Sequence, residues 1–436
     1  MRSFFTITLL LLVTGISAQK ELSFSSLDSL FAYADKNSVT IKTGDKQSLL
    51  AKSTRLAALG NTVNLRCPVS ASYIDNTELP VNYVPGEFFG GPAGSTRELT
   101  LGQEYVTNYS ITPQIDIISP STWSRVKSAS ENVKLTEVTN LVNKRTLFEN
   151  ISAVWFNIVS LQEQVKAAEE NVKAADSLLA ISQRKLEQGI TREQDRNNML
   201  INSLSAKDRV AQFQVMLEQQ YNNLKVLCDI APETMLMINP GPESSSAAPE
   251  ISKSDLIERQ AQLQASYLKS ELRSGRTSLF APTVSFIFNQ GWQESSNKQF
   301  FDPDANKFST QYYGLKVSVP FPLEVMKLSQ SYTAKLNYQI AQLNHDHAVL
   351  QTQNNNKQLE LNYSAASSTY STSKQISELK EENYRKGLNQ YQEGVLSADL
   401  LLTAFNDMTN AKINMISASA SLKQAESRIK LNNTIR

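Results

Sequence analysis

Histidine and cysteine are nearly absent. Two of each in 436 residues leave little from which to build a metal centre or a nucleophilic site. The two histidines stand in His345-Asp346-His347 within a helical pattern. There, side chains two apart point about 200° away from each other, a poor chelate. Cys67 lies in a strand-like segment and Cys228 at the end of a helical run, so free thiols are expected rather than a disulfide. No glycine-rich phosphate loop occurs, since the Gly90-Gly91 pair is not followed by a helix. No acid–base or nucleophile set emerges, so the chain does not read as an enzyme, and neither cofactor nor metal is expected. A net charge of +1 without a basic run argues against nucleic acid as a partner. Beyond the N-terminus there is no apolar run of about 18 residues, hence no predicted transmembrane helix.

What apolar run there is lies at the start. MRSFFTITLLLLVTGISAQ has Arg2, an apolar core from Phe4 to Val13 and small residues before Gln19. It reads as a secretory signal peptide over residues 1–18, cut after Ala18. The run is too short for the alternative, a helical anchor. No cysteine lies near the cut, so no N-terminal lipid is expected.

Glycine and proline are few, 15 and 14, and unevenly spread. Ser121 to Gln188 contains neither. Its apolar positions step by four and three: Leu147, Ile151, Val154, Ile158, Leu161, Val165, Ala168, Val172, Ala175, Leu179 and, after Ser182, Leu186. A heptad seam of this length predicts a coiled-coil rod on the order of 100 Å. A second stripe runs beside it: Phe148, Trp155, Val159, Ala167, Ala174, Leu178 and Ile181. Two stripes suit a helix with a neighbour on each side, as in a bundle or a closed palisade.

The pattern occurs twice. Runs free of glycine and proline cover 121–188 and 190–231, then 323–386 and 395–436. Each long run follows an alternating segment closed by proline, Ile115 to Pro120 and Val317 to Pro322. Each is followed by a glycine-bearing turn, Leu186-Glu-Gln-Gly189 and Tyr391-Gln-Glu-Gly394. The chain therefore reads as a tandem duplication of the order helix, strand, strand, long helix, helix. Copy one spans 19–231, a Pro/Ser/Ala-rich linker 232–250, and copy two 251–436. Opening helices are predicted at 27–59 and 253–274, and an opening plus a trailing helix roughly equals one long helix in length.

The predicted strands alternate. Leu65, Cys67, Val69, Ala71 and Tyr73 oppose Arg66, Ser70 and Ser72. A second, looser strand runs through 101–117. Pro282, Val284, Phe286 and Phe288 oppose Thr283, Ser285 and Asn289. Tyr313, Leu315, Val317, Val319 and Phe321 oppose Gly314, Lys316 and Ser318. Strands of about 9–11 residues with one apolar and one polar face suit a transmembrane β-barrel, and equally a soluble sheet resting one face on a core. In lipid the edges must close, and four strands per chain close a useful bore only by joining several chains. Long hairpin loops are predicted at 76–97 and 293–309. Trp292, Tyr73, Tyr312 and Tyr313 are an interfacial aromatic belt or ordinary strand aromatics.

Taken together, the duplicated order, the rods and the paired turns resemble the outer-membrane efflux proteins of the TolC type, over residues 22–432. The family turn reads roughly aromatic or apolar, two residues, Gly, a small hydroxyl residue three on and an Asp six on. Here Asp195 stands six after Gly189, with Arg192 at the hydroxyl position. Ser397 follows Gly394 as the pattern asks, but the acid, Asp399, comes five after it. The resemblance implies a homotrimer in the Gram-negative outer membrane: a twelve-stranded transmembrane β-barrel continued by a twelve-helix tunnel across the periplasm. Its tip opens when an inner-membrane pump (RND or ABC type) and a periplasmic adaptor dock. The implied role is the passive exit duct of a tripartite efflux or type I secretion system.

On that reading Gly189, Arg192, Asp195, Tyr391, Gly394, Ser397 and Asp399 form the gate and adaptor-contact tip. Arg66, Ser70, Ser72, Ser285, Lys316 and Ser318 face the barrel lumen. A ring of acids around a narrow aperture would focus negative potential, with Arg192 as a partner. An Asp in the first turn of a helix is explained as well by the helix dipole. The alternative for the whole chain is a periplasmic coiled-coil adaptor or scaffold, but adaptors have one helical hairpin, not two copies with amphipathic strands between.

Overall fold

The computed structural model describes residues 21–241, 256–321 and 325–435. The predicted signal peptide, most of the linker, the first residues of the second opening helix and Pro322 lie outside the described residues. The contacts divide the chain into two compact units, each drawing on both halves of the sequence. One comprises 1–47, 137–259 and 347–436, the other 48–136 and 260–346.

The chain enters on β1 (Glu21–Phe24) and α1 (Leu27–Asn37), the latter capped by Ser26 Oγ accepting from Ser29 N. The predicted opening helix 27–59 is broken at Ser38, whose extended ψ of 132° ends α1 before α2 (Val39–Gly60) begins. Asp229 holds that break from outside, its Oδ2 accepting from Val39 N at 2.6 Å. Such a break has no local signature, because the partner lies 190 residues away.

The strands of the second unit follow. They are β2 (Leu65–Arg66), β3 (Val69–Asp75), β4 (Val81–Pro85), β5 (Thr96–Thr100), β6 (Tyr105–Ile111) and β7 (Gln114–Ile118). The predicted loop 76–97 thus holds most of a small hairpin, β4 paired with β5. The long rod is one helix, α3 (Pro120–Glu187), followed by α4 (Glu193–Cys228). The residues read as linker open instead on β8 (Met235–Ile238), which pairs in parallel with β1. Two edge strands of four residues satisfy each other's backbones while Leu236 and Ile238 are buried.

The order then recurs: α5 (Leu256–Phe280), β9 (Thr283–Ser296), β10 (Asn306–Ser318), α6 (Val325–Gln392) and α7 (Ala398–Thr434). α3 and α6 each have 68 residues, and α4 and α7 have 36 and 37. α6 runs through Gly387 without a break. Strand takes up both ends of the predicted loop 293–309, with 297–305 left as the connection. No described helix is long and apolar enough to cross a membrane.

The helical unit has its main core where the two predicted stripes of α3 meet α1, β1 and β8. Ile151, Trp155 and Ile158 are fully buried there. Phe31 stacks on Phe148 at 4.5 Å. The stripes are not purely apolar. Ser152, Gln164 and Asn171 are also buried, and Ser152 Oγ meets Ser427 Oγ of α7 at 2.7 Å while Gln164 Nε2 donates to Ser417 Oγ at 3.2 Å. Both cysteines are free; Cys228 is buried, and burial pushes its thiol up to about 12.

Candidate functional site

Two places gather the residues singled out from sequence: the paired turns between long and trailing helices, and the sheet.

Both turns close in the same way. After α3, Gly189 N donates to Leu186 O at 2.9 Å and Ile190 N to Lys185 O at 2.8 Å. After α6, Gly394 N donates to Tyr391 O at 3.2 Å and Val395 N to Gln390 O at 2.9 Å. These are paired Schellman closures, and they need a left-handed residue at the glycine. Gly189 has φ +73° and Gly394 φ +81°, and glycine adopts that region without a Cβ penalty.

The helices that follow start differently. Ser397 caps α7, accepting from Leu400 N at 3.4 Å. Arg192 occupies the same position before α4, and a guanidinium has no acceptor to offer. Asp195 does the work instead, its Oδ2 accepting from Arg192 N at 3.2 Å and Thr191 Oγ1 at 2.9 Å. Asp399 is exposed and accepts from Asn198 Nδ2 at 3.3 Å. Tyr391 is buried against Leu178, Met199 and Leu401. Its ring lies 4.1 Å from Lys185 Nζ, which also donates to Tyr391 O. Burial raises its phenol above the usual range.

Ion pairs join the long helices of this unit to the trailing ones, and the sequence does not show them because their partners are not neighbours in the chain. Asp176 of α3 accepts from Ser203 Oγ at 2.5 Å and pairs with Lys207 Nζ of α4 at 3.0 Å. Glu170 of α3 meets Lys412 of α7 at 2.7 Å, and Asp407 of α7 meets Lys380 of α6 at 2.6 Å. The hydroxyl of Ser203 and the ammonium of Lys207 hold Asp176 below the usual carboxylate range, and Lys412 does the same for Glu170. A lowered folded pKa means a stabilising contribution that is full above the unfolded value and lost as pH falls through the folded one. The melting temperature of the wild type is therefore expected to exceed that of an Asp176→Asn/Glu170→Gln variant at pH 7, with the gap closing below about pH 4. A gap that persists at pH 3 would assign the loss to packing.

In the other unit β9 pairs with β10 along one edge and with β6 and then β7 along the other, and β3 and β2 continue the sheet outward. Breaks at 67–68 and 112–113 interrupt what are otherwise two long strands. The result is a four-strand antiparallel meander in chain order with both outer edges open. The register carries side-chain direction across it. Arg66 pairs with Gln114, Asp116 with Ser285, and Ser285 with Lys316. Ser70 pairs with Ser110, and Ser110 with Gly291; Ser72 pairs with Asn108, and Asn108 with Gln293. With a period of two, Arg66, Ser70, Ser72, Ser285, Lys316 and Ser318 all lie on one face.

That face is internally bonded. Asp116 accepts from Arg66 Nη2 at 2.9 Å, from Ser285 Oγ at 2.7 Å and from Gln114 Nε2 at 3.1 Å. Ser285 is 2% exposed, so it is a structural member of this network. The opposite face is apolar and bare: Tyr313 is 77%, Val69 72%, Leu315 68% and Val317 64% exposed. Of the predicted belt, Tyr73 packs edge-on to Tyr109 and Phe300 at 6.3 Å.

Residues 88–228 match the sequence pattern of the family described as outer membrane efflux protein. The whole described fold is shared with VceC, an outer membrane protein of Vibrio cholerae, at 13% identity over 92% of this chain and 94% of that one, with a TM-score of 0.72. This chain has the fold of the TolC-type outer-membrane efflux proteins. CusC, whose structure was studied for transmembrane channel formation, matches at 14% identity over 93% and 91%, TM-score 0.73. The open state of the MtrE outer membrane channel of Neisseria gonorrhoeae matches at 16% identity over 94% and 89%, TM-score 0.68. A search of curated protein sequences finds no match.

Proposed function

We propose that the protein is the outer-membrane exit duct of a tripartite efflux or type I secretion system, passively conducting solutes to the exterior. Three copies join their meanders into a twelve-stranded barrel in the Gram-negative outer membrane, and their rods into a twelve-helix tunnel in the periplasm. A periplasmic adaptor docks at the paired turns, and an inner-membrane pump of RND or ABC type supplies the energy. The observation that carries this reading is the meander with a bare apolar face, a bonded polar face and two open edges. Such a sheet satisfies its outer backbones in lipid only by pairing with sibling copies. A periplasmic adaptor or scaffold would have no use for the bare face.

At the tip, Gly189, Gly394, Arg192, Ser397, Tyr391, Asp195 and Asp399 form the gate and adaptor contact. Arg66, Ser70, Ser72, Lys316 and Ser318 line the bore, while Ser285, read from sequence as a lumen residue, is buried in the Asp116 network and braces that wall. Reconstituted protein is expected to give discrete conductance steps in planar bilayers and to cross-link as a trimer. A monomer that leaves bilayers impermeable would end the reading. Asp195→Asn removes the charge and keeps an acceptor for the turn, whereas Asp195→Ala removes both. If charge at the aperture matters, both variants, each combined with Asp399→Asn, raise conductance and weaken divalent block. If only the Ala variant does so, Asp195 acts by holding the turn.

A further inference from the structure

The chain is almost neutral, but its charge is not evenly laid out. The helix segments that adjoin the strands, 48–60, 120–136, 260–280 and 325–346, hold ten Lys and Arg against three Asp and Glu. The strand region, 61–119 and 281–321, runs the other way, with five basic and nine acidic residues. The basic excess therefore collects where helix meets strand.

α3 begins at Pro120, two residues after β7 ends, and α5 ends at Phe280, three residues before β9 begins. These two helix ends lie side by side, with Ser124 Oγ 3.4 Å from Thr277 Oγ1. Between them opens a cavity of about 260 Å³ lined by Pro120, Trp123, Ser124, Lys127, Ser270, Arg273 and Thr277. Lys127 and Arg273 are exposed, and among the described residues neither charged side chain makes a hydrogen bond or an ion pair. With Ser124 Oγ donating to Pro120 O and Thr277 Oγ1 to Arg273 O, the two unpaired cations and the Ser270 hydroxyl are what the pocket offers a phosphate group. Trp123 is 51% exposed at its rim, and Phe280, one heptad beyond Arg273 on the same face of α5, is 60% exposed. Bare aromatics beside cations, a few residues from the end of a strand, are the composition of a membrane–water boundary.

We infer that this pocket binds the phosphate headgroup of an anionic glycerophospholipid of the periplasmic leaflet, with Lys127 and Arg273 on the phosphate and Trp123 against the upper acyl chain. The inference rests on the barrel reading above, because only strands in lipid bring the pocket to the headgroup level. Its use would be to fix the depth and rotation of the barrel in the membrane.

The full-length protein in mixed detergent–lipid micelles provides the test. The lipids are phosphatidylglycerol or phosphatidylcholine carrying bromines near the top of the acyl chains, which quench tryptophan on contact. Trp123 fluorescence, isolated as the difference from a Trp123→Phe variant, is expected to be quenched by the glycerol lipid at about tenfold lower concentration than by the choline lipid. Lys127→Gln/Arg273→Gln should erase that preference, each cation near an anionic surface being worth a several-fold change. Trp292, on the bare face of β9, serves as control and is expected to be quenched by both lipids alike. If Trp292 is quenched and Trp123 shows no preference, the headgroup site is wrong and the barrel stands. If Trp292 is quenched by neither lipid, the barrel itself is wrong. Inorganic phosphate at millimolar concentration should leave the preference intact; if it removes it, the pocket is a free-phosphate site and the lipid assignment falls.

Discussion

Leu315→Arg is expected to abolish assembly, while Ser318→Arg on the other face of the same strand leaves it intact. Leu315 is 68% exposed and pairs with Phe286 on the bare apolar face of the meander. In the proposed barrel an arginine there would meet lipid, at about 2–4 kcal/mol near the bilayer midplane, and each of the three copies would bear that cost. Ser318 pairs with Thr283 and lies on the face that carries Lys316, where charge is already accommodated. The measurement is the heat-sensitive shift of folded oligomer on a denaturing gel, together with liposome permeability. Equal behaviour of the two variants would mean the sheet has no lipid face, and the channel proposal would go with it.

Trp155→Ala carries the largest expected loss of folding stability. Trp155 has no exposed surface and packs within the cluster formed by α3, α1, β1 and β8. Truncating a buried Trp typically costs about 3–5 kcal/mol through lost transfer energy and the cavity left behind. Val226→Ala, at a site 78% exposed, serves as the control and should fall within about 0.5 kcal/mol of wild type. Thermal or denaturant melts followed by circular dichroism report both. If the two variants match, the first unit is not held by this cluster, and the strand pair β1–β8 loses its assigned support.

Much of this protein is legible in one dimension because its main elements repeat a local rule. A heptad seam sustained from Leu147 to Leu186 leaves no alternative to a rod, and the structure gives one helix from Pro120 to Glu187. Gly189 is the one glycine between the helical runs of copy one and Gly394 one of two in copy two, and their positive φ angles are the reason glycine closes these turns. Alternation marks three of the four long strands and sorts Arg66, Ser70, Ser72, Ser285, Lys316 and Ser318 onto polar faces without knowledge of the pairing.

Other features had no local trace. The helix break at Ser38 depends on Asp229, and the strand Met235–Ile238 exists only because Glu21–Phe24 pairs with it. Asp195 reads equally as part of a ring of charge or as a first-turn acid favoured by the helix dipole, and only the fold shows its carboxylate bonded to Thr191 Oγ1 and Arg192 N. The two hairpin loops were drawn too long because strands continue wherever a partner extends beside them. β10 follows β9 without a gap from Thr283 to Ser295.

What the sequence determined by itself is periodicity: rods of the right length, turns of the right kind, strands with two faces, and all of it twice. Each of these depends on residues within a turn or a pleat of one another. Tertiary structure alone decided the strand order, the register that unites six polar residues with Asp116, and the side-by-side helix ends that bring Lys127 to Arg273. Those depend on contacts between separate elements, up to 191 positions apart where Tyr105 pairs with Ser296, where the free energy lies in the pairing and not in either partner.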